Sequence, residues 1–137
     1  MKKDIYSFAK ELWPINRSLT GEGNRKTLSK IKGILKNLKM KSVKSGEKFF
    51  DWSIPKEWKV KEAYIINPEG KKICDFTDNN LHLVGYSHSI NKKLKLSQLK
   101  KNLFFLKDQP EAVPYVTSYY NKTWGFSMSY NEYKNLK

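Results

Sequence analysis

The apolar residues of the first forty positions recur at the spacing of an α-helix. They form two amphipathic stripes, Ile5, Phe8, Ala9 and Leu12 in the first and Leu28, Ile31, Leu35 and Leu38 in the second. The first stripe predicts a short helix over 4–12, which ends at Trp13 because a residue before proline avoids the α region. The second predicts a helix over 24–39, with Gly33 inside it and lysines on its polar face.

Beyond Met40 the spacing changes from helical to strand-like. Residues 48–52 are predicted to be extended, and 60–66 and 71–76 are predicted to pair as a β-hairpin. The connection over 67–70 reads Asn-Pro-Glu-Gly. Proline early in a turn and glycine at its end are typical of a tight connection that closes through a left-handed residue.

The second half of the chain continues this mixed pattern. Strands are predicted over 81–90, 113–120 and 124–129. A short helix between the first two is predicted to begin at Ser97 as its cap. Its buried face would comprise Leu99, Leu103 and Leu106. A last helix is predicted from residue 129 onwards, with Ser129 or Asn131 as its cap.

These elements predict an α+β fold, in which two N-terminal helices precede a small β-rich domain with hairpins and one short helix. We predict three parts: an N-terminal helical segment over 1–42, a β-rich domain over 43–129, and the start of a further helix over 130–137. The pattern stops about two turns into that helix, which indicates the front part of a longer α/β protein. With 137 residues, of which 14% are aromatic, the chain is long enough to fold around a core.

The chain is strongly basic, with 27 lysines and arginines against 13 acidic residues and a formal charge of +14. A polyanion such as nucleic acid is therefore one alternative partner. Only Arg17 and Arg25 are arginines, and the lysines are spread along the whole sequence. Because specific base and phosphate contacts rely on bidentate arginine, we predict no specific nucleic-acid partner.

The sequence also bears on compartment. No apolar run approaches the length of a membrane span, and the first residues lack the apolar core of a signal peptide. Cys74 is the one cysteine, so this sequence has no internal disulfide. We predict a cytoplasmic protein without a membrane partner, in which Cys74 is a small buried or half-buried apolar residue rather than a nucleophile.

Familiar catalytic motifs are missing: the sequence contains no G-x-S-x-G, no H-E-x-x-H and no phosphate-binding loop. His82 and His88 lie at even spacing, so within one strand they would share a face. A metal site needs three or four ligands, and Asp75 and Asp78 are nearby in sequence. Spacing within one strand is not diagnostic, and we predict a hydrogen-bonded His82, an exposed His88 and no metal site.

Aromatic residues crowd the segment 113–126. They are expected to form the core of a small β unit, although a groove for a sugar or a peptide is an alternative, since not every tyrosine can be inside. We predict no catalytic residue. The candidate binding residues are Arg17, His82, Tyr119, Tyr120 and Trp124.

Four long strings occur in this order in a known family. They are LWPINRSLTGEG over 12–23, FDWSIPKEW over 50–58, DNNLHLVGYS over 78–87, and PYVTSYY over 114–120 with WGF over 124–126. The chain resembles the N-terminal portion of a bacterial zinc aminopeptidase-like family, often encoded near genes for surface-polysaccharide biosynthesis. The resemblance extends over nearly the whole chain.

The resemblance implies a di-zinc exopeptidase fold that carries a small inserted β-rich domain. Zinc is expected in full-length relatives, but their His-Pro and Asp-Asn ligand motifs do not occur here in that arrangement, so no cofactor is expected in this chain. A metallopeptidase needs a metal and a general base, and we therefore expect this chain alone to be inactive.

We therefore predict an N-terminal fragment of an aminopeptidase-like protein with a structural or substrate-access role. Its expected partner is the missing catalytic domain, or a second copy of the chain. The first alternative is a free-standing module that binds carbohydrate or peptide. A lysine-rich polyanion binder is the second alternative.

Overall fold

The computed structural model describes residues 4–119 and 121–137, in which four helices and short strand pairs confirm the mixed α+β fold. The chain divides into two compact units, Met1–Val60 and Lys61–Lys137. The division into domains at 42/43 and 129/130 stays a prediction. None of the helices in the described residues is long and apolar enough to cross a bilayer.

The first helix, α1, spans Ile5–Leu12 as predicted. Asp4 caps it, because its carboxylate accepts hydrogen bonds from the Ser7 backbone N–H at 3.0 Å and from the Ser7 hydroxyl at 2.6 Å. These hydrogen bonds lower the pKa of Asp4. The helix ends at Trp13, immediately before Pro14.

The second helix, α2, spans Glu22–Ile34 and is shorter than predicted. The prediction that it continues to residue 39 is wrong, because Leu35 leaves the helical region at φ −95° and ψ 86°. Two physical reasons favour this early end. Gly33 lies in the last turn and costs about 1 kcal/mol relative to alanine. In addition, the helix has no fully buried residue whose packing would stabilise a further turn.

A short hairpin comes next in the same unit, so the segment predicted to be extended over 48–52 instead reverses direction at Phe50 and Asp51. β1 (Lys48–Phe49) pairs antiparallel with β2 (Trp52–Ser53). Backbone bonds from Gly46 N–H to Ile54 O at 2.8 Å and from Ile54 N–H to Glu47 O at 2.9 Å extend the ladder. Phe50 begins the turn at φ 55°, a left-handed conformation that costs a residue other than glycine about 1–2 kcal/mol.

The second unit begins with the predicted Asn-Pro-Glu-Gly hairpin. β3 (Ile65–Ile66) and β4 (Lys72–Ile73) pair antiparallel and are shorter than the predicted strands. Gly70 has φ 80° and donates to Asn67 O at 2.9 Å, while the Asn67 side chain accepts from the Lys71 N–H at 2.8 Å. The turn therefore closes through a left-handed glycine, as the sequence predicts.

The predicted strand over 81–90 is wrong. Residues Asn80–His82 form a 3₁₀ helix, because the Asn79 side chain accepts from the Leu81 N–H at 3.0 Å and starts a helical turn. The residues after this helix pair through isolated bridges, Leu83 to Phe126 and Gly85 to Thr117. An Asn-Asn pair before an apolar run thus favours a capped turn over a strand at this point.

The predicted short helix near Ser97 is present, but the prediction that Ser97 is its N-cap residue is wrong. The helix, α3, spans Leu96–Leu99 with Lys95 as the N-cap residue, and the Gln98 side chain accepts from the Lys95 N–H at 3.1 Å. It continues as a 3₁₀ turn over Lys100–Asn102. Ser97 lies inside the helix rather than at its start. Of the predicted buried face, Leu103 is buried in the next strand and Leu106 is exposed.

The last elements form one parallel strand pair and a helix. β5 (Leu103–Phe104) pairs with β6 (Phe126–Ser127), so the long strands predicted over 113–120 and 124–129 reduce to two paired residues and the Gly85–Thr117 bridge. The last helix, α4, spans Tyr130–Lys134. Ser129 is its cap, as predicted, in a reciprocal box in which Glu132 Oε2 accepts from the Ser129 N–H at 2.9 Å.

The buried apolar residues of the described chain all lie in the second unit. They are Cys74, Val84, Leu103, Phe126 and Met128. Trp124 and Phe126 therefore belong to or pack against the core, as expected for the aromatic segment. Tyr115 and Tyr119 are exposed. In the first unit, neither helix has a fully buried residue.

Candidate functional site

Three tyrosines of the second unit lie on two segments that a single β-bridge joins. Gly85 and Thr117 form the bridge, and Tyr86, Tyr115 and Tyr119 flank it. The Gly85 N–H donates to Val116 O at 2.9 Å, and its carbonyl accepts from the Ser118 N–H at 2.9 Å. We call Tyr86, Tyr115 and Tyr119 the tyrosine cluster.

Glycine at position 85 permits the close approach of these segments. A Cβ added there would lie 3.0 Å from Thr117 Oγ1 and 3.3 Å from Thr117 Cβ. Both distances are tighter than ordinary van der Waals contact, so the bridge would have to open slightly to admit a side chain. Gly85 therefore fixes the spacing of the two segments that carry the cluster.

Two residues of the tyrosine cluster have a strained backbone conformation. Tyr86 has φ 65° and Tyr119 has φ 47°, in the left-handed region that glycine or asparagine normally occupies. The ring centroids of Tyr86 and Tyr119 lie 6.2 Å apart at an interplanar angle of 33°. Strain of this kind persists where the surrounding structure over-determines the conformation, and it is concentrated at functional sites.

Tyr115 supplies the most exposed ring of the cluster, with 68% of its surface accessible. Partial burial of its phenol, and next the nearby Tyr119, raise the pKa of Tyr115. The phenol is therefore neutral at physiological pH and can both donate and accept hydrogen bonds. Phenol groups beside exposed aromatic rings suit polyhydroxylated or amide-rich ligands better than strongly charged ones.

The structure brings only part of the predicted site together. Tyr119 lies in the cluster, whereas Trp124 is half-buried and packs against the core. Tyr120 lies outside the described residues. The sequence did not single out Tyr86, and Tyr115 entered only as part of the aromatic segment 113–126. The signal that would have found Tyr86 is the Gly-Tyr pair at 85–86, because a glycine in an extended segment marks a close backbone approach.

The two histidines each bind a backbone carbonyl. His82 Nδ1 lies 2.8 Å from Ser127 O, and His88 Nδ1 lies 2.8 Å from Thr123 O. His82 is half-buried on the 3₁₀ helix and His88 is exposed. Within 4–119 and 121–137, no three His, Cys, Asp or Glu side chains are grouped so that they could hold a metal ion. The described residues therefore do not fit the zinc site that the resemblance implies for full-length relatives.

Arg17 lies in the first unit and closes the end of a helix. Its guanidinium donates to the carbonyl of Leu12, the last residue of α1, at 3.1 Å. A cation at this position also interacts favourably with the helix dipole. The observed contact of Arg17 is thus a structural one within the polar turn.

The polar turn 16–23 is packed tightly against the start of α2. The Asn24 side chain donates to Ser18 O at 2.7 Å and to Leu19 O at 2.9 Å. A Cβ on Gly23 would overlap the carbonyl oxygen of Asn16 and lie 2.9 Å from its carbonyl carbon. The Gly-Glu-Gly string is therefore a packing requirement of the turn.

An exposed bidentate ion pair joins α2 to the segment after the hairpin. Arg25 Nη1 and Nη2 lie 2.6 Å and 3.1 Å from the two carboxylate oxygens of Glu57, and Arg25 Nε lies 3.1 Å from Glu22. The hydrogen bonds from Arg25 lower the pKa of Glu57. Hydrogen bonds to Glu57 and to Glu22 raise the pKa of Arg25. Two of the recognised strings, 12–23 and 50–58, thus meet in one network within the first unit.

Cys74 is buried, in agreement with the prediction. Burial, and next the charge of Glu132, raise the pKa of its thiol to about 12. A thiol of this kind is almost entirely protonated near pH 7 and is a poor nucleophile.

Comparison with known proteins places the chain in a family. Residues 57–137 match a family described as a domain of unknown function, DUF2172. The match covers more than half of the chain, which therefore belongs to this family.

Two further matches are to proteins that are longer than this chain. A protein of Clostridium acetobutylicum, whose name assigns it to polysaccharide biosynthesis and gives it an aminopeptidase-like domain, is 44% identical over 133 residues. These residues are 97% of this chain and 30% of that protein. A 2.37 Å crystal structure from the same organism, described by its name as that of a peptidase, matches with a TM-score of 0.92 at 44% identity. The match covers 97% of this chain and 31% of the chain in that crystal structure.

The chain therefore spans just under a third of the length of the relatives it matches. Both names agree with the aminopeptidase-like resemblance found in the sequence strings.

Proposed function

We propose that this chain is an accessory portion of an aminopeptidase-like protein, with a structural or substrate-access role, and that residues outside it carry out catalysis. The observation that carries the proposal is the near-complete match of the chain to less than a third of a longer protein named as a peptidase. An accessory portion needs a surface through which it packs on the rest of its protein. The first unit supports this, because its helices expose apolar residues such as Ile5 and Ile34, and Leu35 directly after α2 is exposed as well.

The proposal is tested by replacement. The matching 133 residues of the Clostridium acetobutylicum protein are exchanged for this chain, and the hybrid is compared with the parent protein by size-exclusion chromatography, thermal unfolding and hydrolysis of aminoacyl anilides. We expect a monodisperse hybrid that unfolds within a few degrees of the parent and has the activity of the parent. An aggregated hybrid beside a well-folded parent would contradict an accessory role.

The chain alone provides a second arm of this test. We expect it to hydrolyse no aminoacyl anilide, with or without added zinc. Hydrolysis that follows the chain through purification and increases with zinc would place a catalytic centre in this portion and overturn the proposal.

The tyrosine cluster supports a second candidate function, that of a module for a neutral sugar or peptide. The observation in its favour is the pair of left-handed tyrosines held close together by a bridge that glycine makes possible. The probes are a neutral hexasaccharide and a Gly-Ser hexapeptide, titrated while the amide signals of Gly85 and Ser118 are followed by NMR. Saturable shifts with one probe are expected for a binding module.

Tyr119→Gly is the informative variant, because it removes a ring and also relieves the left-handed strain. The matched control is Phe50→Gly, which makes the same change at another exposed left-handed aromatic residue. Binding that Tyr119→Gly abolishes and Phe50→Gly leaves unchanged supports the module. An equal response of both variants, or no shift with either probe, counts against it.

A further inference from the structure

The tip of the hairpin in the first unit exposes three aromatic residues. Phe50 is fully exposed, and Phe49 and Trp52 are each 43% exposed. Phe49 and Trp52 are direct partners across the strand pair, so their side chains lie on the same face. We call Phe49, Phe50 and Trp52 the aromatic tip.

Nothing in the described part of the chain explains a phenylalanine at position 50. It is the first residue of a two-residue turn and has φ 55°. Glycine, asparagine and aspartate adopt this conformation far more readily than an aromatic residue. A residue that is unfavourable both in backbone conformation and in exposure is expected where a partner covers it.

The hairpin presents the aromatic tip from a defined base. Two backbone hydrogen bonds between Gly46, Glu47 and Ile54 flank the strand pair, and the Ser45 hydroxyl donates to Pro55 O at 3.0 Å. A hairpin held at its base loses little conformational freedom when its tip binds. The tip is therefore suited to insertion into a preformed pocket.

The charge of the chain bears on the choice of partner. The hairpin itself, residues 44–55, contains two lysines and two acidic residues, Glu47 and Asp51, so the tip does not require a charged pocket. The whole chain has a formal charge of +14, and like-charge repulsion therefore disfavours a second copy as the partner. The complementary surface for the tip is an apolar pocket.

We propose that the aromatic tip docks into an apolar pocket on the remaining portion of the longer protein. The inference rests on the proposed function, since the chain spans only 30% of the length of its named relative and the remainder supplies the partner surface. Phe50, the most exposed residue of the tip, enters the pocket.

The test uses the hybrid protein and the chain alone, each with Phe50→Ser. The matched control is Ile66→Ser, because Ile66 is another exposed apolar residue, 60% accessible, on a hairpin of the other unit. We expect Phe50→Ser to leave the unfolding midpoint of the chain alone within about 1 °C and to lower that of the hybrid by several degrees. We expect Ile66→Ser to change the unfolding midpoint by the same amount in both proteins.

Amide hydrogen exchange over 45–55 provides a readout that a general loss of stability would not reproduce. Exchange is expected to be at least tenfold slower in the hybrid than in the chain alone, and Phe50→Ser is expected to remove that protection selectively. Equal exchange in both proteins, or equal effects of Phe50→Ser in both, would overturn the docking inference and leave the accessory role intact. Failure of the unsubstituted hybrid to fold would reject the accessory role and the docking inference together.

Two other occupants are tested with the chain alone. A concentration-dependent dimer that Phe50→Ser dissolves would assign the tip to a second copy. Co-sedimentation with vesicles of phosphatidylcholine and phosphatidylglycerol, lost in Phe50→Ser, would assign it to an anionic lipid surface. Either result would overturn the proposal.

Discussion

Alanine at two glycines of α2 should have opposite effects on the stability of that helix. Gly33 has nothing within 4 Å of an added Cβ, whereas a Cβ on Gly23 overlaps the backbone of Asn16. Both substitutions gain about 1 kcal/mol of helix propensity. At Gly23 the colliding group is a backbone carbonyl that cannot rotate away, so an overpacking cost of about 2–3 kcal/mol, at the upper end of the usual range, exceeds the gain.

We expect Gly33→Ala to stabilise α2 by about 1 kcal/mol and Gly23→Ala to destabilise it by about 1–2 kcal/mol. The assay is amide hydrogen exchange of α2 in each variant, where 1–2 kcal/mol corresponds to a factor of about 5–30 in the opening equilibrium. Exchange should therefore slow about fivefold in Gly33→Ala and accelerate in Gly23→Ala. Slower exchange in both variants would refute the packing of the polar turn against α2.

Three further predictions concern the second unit. Burial raises the pKa of the Cys74 thiol to about 12. The thiol should therefore resist iodoacetamide at pH 8 in the folded chain and react readily in urea. Labelling at equal rates in both conditions would contradict the burial of Cys74. Ser129→Ala should lower the urea-derived free energy of unfolding by about 1 kcal/mol through loss of the α4 cap, with Ser97→Ala as the control that lacks a capping role. Hydrogen bonds from the backbone and hydroxyl of Thr77 lower the pKa of Asp75. The stability that the Asp75 carboxylate contributes to the folded chain should therefore be present above its unfolded-state pKa and be lost as pH falls through the lower folded-state pKa. Asp75→Asn should make the acid unfolding transition, monitored by circular dichroism, less steep. An unchanged acid transition would oppose that assignment.

Local signals in the sequence predicted the elements whose chemistry is local. Ser129 caps α4 as predicted, and Asp4, which was predicted to begin the first helix, is the cap of α1; each side chain reaches a backbone N–H group three residues away. The Asn-Pro-Glu-Gly turn closes through Gly70 for a similarly local reason. In these cases the residue types over four positions determine the backbone without help from distant segments.

The errors arose where distant packing decides the structure. Apolar spacing extended α2 to residue 39, whereas the helix has no fully buried residue and ends at Ile34. Alternation over 81–90 predicted a strand, but Asn79 starts a 3₁₀ turn, and the pairing of this segment reduces to bridges at Leu83 and Gly85. Strand pairing depends on partners far away in the chain, which periodicity alone does not reveal.

The candidate site was predictable only in part for the same reason. Tyr119 was found from the density of aromatic residues, but its neighbour Tyr86 is brought to it by the Gly85–Thr117 bridge, which joins segments distant in sequence. Trp124 carries the same aromatic signal and lies against the core. Aromatic density thus identifies the segment, while backbone geometry decides which rings face solvent.

The size of the native gene product shows whether this chain is one portion of a longer protein. An antibody raised against this chain would be used to detect the product in lysates of the source cells by immunoblot and intact mass. Because the chain covers 30% of its named relative, the account predicts a polypeptide roughly three times as heavy as the 16.1 kDa chain, with no species of the chain's own mass. A single stable product of the mass of this chain would contradict an accessory role and favour a free-standing binding module.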